Sequence, residues 1–219
     1  MTQPSVFNRS DFSVQEISPS LYNLVIGLCL SWGFGINWLM VKHIPTENIL
    51  ALNPLLLIIG YLVSCFLGVF LSAKSDNPII SFIGYNFIVL PLGLIINLAV
   101  SNVSPTLVAQ AIQTTGGVTF LMMVLGSLFP VFFKKIAGTL FISLIVVIIV
   151  EAVQALFFHQ HSGIIDWVVA AIFCGYIGYD WGRANQIPKT IDNAVDSAVA
   201  LYVDIINLFL RILRILSRD

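Results

Sequence analysis

Three long stretches of this sequence contain no Asp, Glu, Lys or Arg: residues 17–41, 48–73 and 77–133. A helix or strand at a water-facing surface needs a polar side, and soluble domains are about one quarter charged, against 10% here. A bilayer selects such windows, because each spanning helix needs roughly 20 predominantly apolar residues. The third window is long enough for two helices, and Ser101-Asn102-Val103-Ser104-Pro105 divides it. The chain therefore reads as an all-α polytopic membrane protein whose first partner is the lipid bilayer. Disorder is excluded by a 58% hydrophobic composition, and a nucleic-acid partner by a net charge of −1.

Hydropathy and turn signals together predict seven transmembrane helices, over residues 20–41, 50–72, 79–100, 106–129, 136–158, 164–186 and 191–216. Pro45, Asn77-Pro78, Pro105, Pro130, Gly163 and Pro188 punctuate the connections, as expected where proline ends a helix near the preceding residue. Residues 1–19 read as a polar N-terminal tail and residues 20–219 as a single transmembrane domain. The first span does not read as a cleaved signal peptide: its leader mixes Arg9 with Asp11 and Glu16, and no small-residue cleavage site follows.

Seven spans place the termini on opposite sides of the membrane. Arg9, Lys74, Lys134, Lys135, Arg183 and Lys189 fall on the N-terminal side, and Lys42, Arg211, Arg214 and Arg218 on the other. Six against four leans towards an N-terminus inside.

Charge inside a span costs a few kcal/mol or more, so each such residue is a candidate for function. Glu151 falls in span five, Asp166 and Asp180 in span six, and Asp192, Asp196 and Asp204 in span seven. Asp166 and Asp192 lie close to expected helix starts, where a carboxylate caps free backbone N–H groups and meets the positive dipole end. Asp196, one turn further in, fits the lip of a polar cavity. Glu151 has no basic partner in its own span, and two readings of it stay open, a protonated buried acid or a second cavity residue.

Asp204 is different: it sits about 20 Å along the last helix, deep in the hydrocarbon. Asn207 and Arg211 follow at i+3 and i+7 and complete a polar stripe that must face protein or water. Such a stripe serves either as a buried network that holds the helix in place or as part of a conduction or proton-sensing path. Asp180 is its natural partner. In an antiparallel hairpin, residues equidistant from the turn lie at equal depth, and the midpoint of 180 and 204 is 192, close to the turn at Pro188-Lys189-Thr190. Side-by-side carboxylates are thus allowed but not required. If they meet, they cannot both ionise cheaply in a low dielectric, so a single proton can be shared. Its loss would leave two negative charges that repel or recruit a cation, and oxygen ligands suit a hard ion such as calcium.

Other features point less far. His159 and His161 form an H-x-H in the loop after span five, without a third ligand nearby in sequence. Cys29, Cys65 and Cys174 fall within spans in no metal-ligand spacing and read as apolar thiols. Ala171, Gly175, Gly178 and Gly182 make a small-residue stripe that permits close helix approach. Asp180 lies roughly 200° round from Gly178, at 100° per residue, so stripe and carboxylate face different neighbours.

Gly178-Tyr179-Asp180, Leu201-Tyr202-Val203-Asp204-Ile205-Ile206-Asn207-Leu208-Phe209 and Arg211-Ile212-Leu213-Arg214 resemble the signature of the Bax-inhibitor, or transmembrane Bax inhibitor motif, family, in its bacterial branch. Pro91-Leu92-Gly93 in span three and Gly116-Gly117-Val118-Thr119-Phe120 in span four extend the resemblance over most of residues 20–216. The resemblance implies a seventh helix central in the bundle and enclosed by the other six. It also implies a passive calcium leak controlled by protonation of two aspartates, which fall on Asp180 and Asp204, and a bacterial plasma membrane location. Bacterial relatives use a basic latch near the end of the second span. Lys74 occupies that place here, without the bidentate fork of an arginine. Glu151 departs from the family pattern. No cofactor is implied beyond calcium as a permeant or bound ion, and a protein partner is left open.

Two enzyme or cofactor classes fail on residues. An intramembrane aspartyl protease would match Tyr179-Asp180, but it needs Gly-x-Gly-Asp where residues 201–204 read Leu-Tyr-Val-Asp. A retinal protein needs a Schiff-base lysine that span seven lacks. A non-enzymatic role remains, with a proton-coupled transporter or a non-conducting regulator of another membrane protein as alternatives to the channel.

Overall fold

The computed structural model describes residues 16–154, 157 and 163–218. Eight helices follow one another: α1 Pro19–His43, α2 Thr46–Leu50, α3 Pro54–Lys74, α4 Pro78–Val100, α5 Pro105–Leu128, α6 Pro130–Val153, α7 Gly163–Ala184 and α8 Ile191–Leu216. Most of the expected tail and the His159/His161 pair lie outside the described residues. The prolines act as starters: α1, α3, α4, α5 and α6 each open on one, where the missing N–H costs nothing and the fixed φ already suits a helix. Span five accordingly begins earlier than expected, at Pro130, and takes Lys134 and Lys135 into its first turns as exposed side chains. The short α2 was not anticipated. It leaves span two to start at Pro54, capped by Asn53, whose side chain accepts from Leu55 and Leu56 N–H.

Among the described residues, six helices are long and apolar enough to cross a membrane: α1, α3 (over Pro54–Ser72), α4, α5, α6 and α7. The seventh expected span, α8, is 26 residues long but carries Asp192, Asp196, Asp204, Arg211 and Arg214, and on composition it is not among the six. Its environment accounts for this. α8 packs against α1, α4, α5 and α7, so protein rather than lipid surrounds most of it. Fourteen of its residues are buried, whereas α6 buries Phe133 alone among its described residues. Enclosure is therefore mainly by four helices, with α3 laid outside α4 and α6 outside α7.

Glycine permits close approach where backbones touch. A Cβ at Gly126 on α5 would overlap the Gly178 carbonyl of α7, one at Gly178 would strike the Phe133 ring of α6, and one at Gly175 would meet Leu140. The α7 small-residue stripe thus faces α5 and α6, while Asp180 faces elsewhere, as its angular separation predicts.

Two polar devices satisfy backbone groups inside the bundle. Pro91 inside α4 cannot donate to the Phe87 carbonyl, and Ser64 Oγ of α3 supplies that bond at 2.6 Å. Asn97, buried on α4, donates to the Met40 and Ile44 carbonyls at the end of α1 and accepts from Thr46 Oγ1. In hydrocarbon an unanswered carbonyl is costly, so such side chains fix where helices stop.

Candidate functional site

The connection between α7 and α8, residues 185–190, is centred about four residues before residue 192. For Asp180 and Asp204 to meet, α8 must start about two and a half turns beyond the end of α7. The loop permits this. Lys189 carries its backbone out to accept from Ile17 N–H at 2.7 Å, its Nζ reaches back to the Ala184 carbonyl at 2.6 Å, and its ammonium lies 4.6 Å from the Tyr22 ring centroid. Thr190 then caps α8 by accepting from Asn193 N–H.

With that offset the Asp180 and Asp204 carboxyls lie close enough to act on each other. A bond between two carboxyl groups needs a proton on one of them. Asp204 is only 6% exposed, and its Oδ2 has no hydrogen-bond partner. Tyr176, one turn before Asp180, lies near enough to sense both charges. The basic group acting on Asp180 is Arg183, three residues on in α7. Lys74, the expected latch, is exposed at the last turn of α3. The expectation came from position in the chain, but α3 packs on α4, away from α7.

The expected stripe of Asp204, Asn207 and Arg211 divides by partner. Asn207 donates to the Val203 carbonyl of its own helix at 2.8 Å. Arg211 forms a bidentate pair with Glu151 of α6, Nη1 to Oε1 and Nη2 to Oε2, the second at 2.8 Å, and Nη1 also donates to Asp166 Oδ1 at 3.0 Å. Glu151 is thus an ion-pair partner rather than a protonated acid. Its partner could not be seen locally, because it lies 60 positions away on another helix. Asp166 is likewise more than a cap: at 1% exposure it also receives Arg214 Nη1 at 3.1 Å and Arg218 Nη2 at 2.7 Å.

At the opposite end of α8, Asp192 does not cap the helix. Its Oδ1 accepts from Ser81 Oγ of α4 at 2.7 Å, and Thr190 does the capping. Tyr22 of α1 and Ser197 of α8 are hydrogen-bonded at 2.9 Å, and Asp196 lies one turn beyond Asp192 on α8. Between the ends, Tyr202 donates to Asn37 Oδ1, Asn37 donates to the Val89 carbonyl at 3.0 Å, and Tyr85 donates to the Cys29 carbonyl at 3.0 Å. Tyr202 and Tyr85 meet edge to face at 5.2 Å, over Gly33, where a Cβ would overlap both. That side of α8 is a packed structural core, and Asp204 lies on a different side of the helix.

Among the described residues, no three His, Cys, Asp or Glu side chains converge as a metal-ligand set. Two carboxyls alone fall well short of the six to eight oxygens of a resident calcium site. Cys29 is buried, Cys65 and Cys174 are half-buried, and all three are free.

The sequence model of the family described as "Inhibitor of apoptosis-promoting Bax1" matches residues 14–219. The chain belongs to the Bax-inhibitor family. A BI1-like protein of Arabidopsis thaliana is 39% identical over 89 residues, which cover 39% of this chain and 34% of that protein. Protein LIFEGUARD 3 of the same plant is 40% identical over 87 residues, covering 38% and 34%. The match thus spans about a third of the length of these plant relatives. An uncharacterised membrane protein of Streptococcus pyogenes is 24% identical over 234 residues, the full length of both chains. The family, the multi-pass membrane character and the all-α fold expected from the sequence therefore stand.

Proposed function

We propose that this Bax-inhibitor family membrane protein is a non-enzymatic, passive cation leak, with calcium as the permeant ion and the Asp180–Asp204 pair as its proton-operated gate, in a bacterial plasma membrane. The observation that carries this reading is the approach of two carboxyls midway along a buried helix, with Asp204 Oδ2 buried and given no donor by another group. With one proton shared, the pair holds α7 to α8 and carries a single negative charge. Without it, two negative charges face each other in a medium where their repulsion is strong, and a divalent cation relieves it. Protons and cations therefore compete for the same oxygens, and leak rises with pH.

Calcium entry into dye-loaded proteoliposomes tests this at one pH below and one above the titration of the pair. The wild type leaks faster at the higher pH, and Asp204→Asn and Asp180→Asn each flatten that dependence. A folded wild-type protein that passes no calcium at either pH contradicts the leak and leaves a regulator of another membrane protein. A leak unchanged by both substitutions contradicts the aspartate gate.

A further inference from the structure

On α8, Asn193, Ser197, Asp204, Asn207 and Arg211 fall within about 40° of a common line at 100° per residue, so a mainly polar face, interrupted by Ala200, runs along a helix that packs against four others. From Asp204 towards the C-terminal end this face meets Asn207 and then Arg211, two turns or about 10 Å on. Arg211 is 16% exposed and Glu151 22%, so a permanent positive charge and its main counter-charge stand between the aspartate pair and the C-terminal end of α8. α6 packs on α7 rather than on α8, and Glu151 reaches α8 through Arg211 and, at 3.9 Å, Arg214.

We propose that Arg211 is the charge barrier that sets the rate and valence selectivity of cation passage between Asp204 and the C-terminal end of α8, with Glu151 as the residue that offsets it. The proposal rests on the leak reading and adds a second control point to it. A divalent ion moving along this face must pass the guanidinium, which repels it twice as strongly as a monovalent ion. Three groups hold or neighbour Arg211 from the packed elements: Glu151 of α6, Asp166 of α7, and Arg214 one turn on in α8. Asp166 is shared with Arg214 and Arg218, which leaves Glu151 as the carboxylate engaged bidentately by Arg211.

The two single substitutions should act in opposite directions. Arg211→Gln removes the barrier and leaves Glu151 to attract cations, so calcium leak in proteoliposomes rises by about tenfold, with a smaller rise for potassium. Glu151→Gln leaves the guanidinium less compensated, and calcium leak falls. The Arg211→Gln/Glu151→Gln double variant returns towards the wild-type rate. Thermal unfolding in detergent, run on the same samples, reads the structural cost separately. A pair that merely fastens α6 to the bundle would move both single variants the same way and leave the double variant at least as altered, and that result overturns the barrier. A wild type without leak overturns the barrier together with the leak reading. A wild-type leak with same-direction single variants overturns the barrier alone.

Discussion

Single residues in this bundle have roles that depend on which side of α8 they face. Asp204 and Tyr202 are two positions apart, yet the first meets Asp180 and keeps a buried oxygen unanswered, whereas the second is locked to Asn37 and stacked on Tyr85. Asn97 belongs to the locked kind. Asn97→Ala removes the donors to two α1 carbonyls and the acceptor for Thr46, so it should cost about 2 kcal/mol, read as a lower midpoint of thermal unfolding in detergent, while the pH dependence of leak stays unchanged. Asp204 was legible from depth in its span alone, since an acid about 20 Å into a helix needs a partner or water. Asn97 was not, because an asparagine near a helix end is common and only the fold brings the α1 terminus to it. Asp166 and Asp192 were read as caps for a related reason: a position near a helix start is visible in sequence, but the arginines and the serine that engage these carboxylates come from other helices.

At the scale of elements, Pro78 and Pro105 made the starts of α4 and α5 readable to within a residue, whereas α3 starts four residues and α6 six residues away from the expected positions. Pro91 shows the complementary case, a proline tolerated inside α4 because Ser64 of α3 bonds the carbonyl it leaves open. Ser64→Ala should therefore cost about 1 kcal/mol while Pro91 is present. In a Pro91→Ala background, where the new backbone N–H at that position answers the Phe87 carbonyl, the same change should be close to neutral. A double-mutant cycle on unfolding midpoints checks this, and equal costs in both backgrounds would remove the explanation. The helix offset between α7 and α8 explains why hairpin arithmetic only allowed the aspartate pair: the loop at 185–190 advances the start of α8 before the two helices pair.

For the whole molecule, the order of helices follows from composition, but the central place of α8 comes from packing. α8 is too charged to count as a span by hydropathy, and four helices shield it from lipid. Counting it as a crossing puts residues 16 and 218 on opposite faces of the membrane, and single cysteines placed near each should label with an impermeant reagent from opposite sides. Labelling from one side would mean six crossings and remove α8 from the path. The aspartate pair and the Arg211–Glu151 pair then lie in series along one face of that helix, and the first is the central claim. The most direct test is the ratio of initial calcium leak rates at high and low pH in proteoliposomes, for wild type against Asp204→Asn: the account predicts a ratio well above one in the wild type that collapses to near one in the variant, and an identical ratio in both would contradict it.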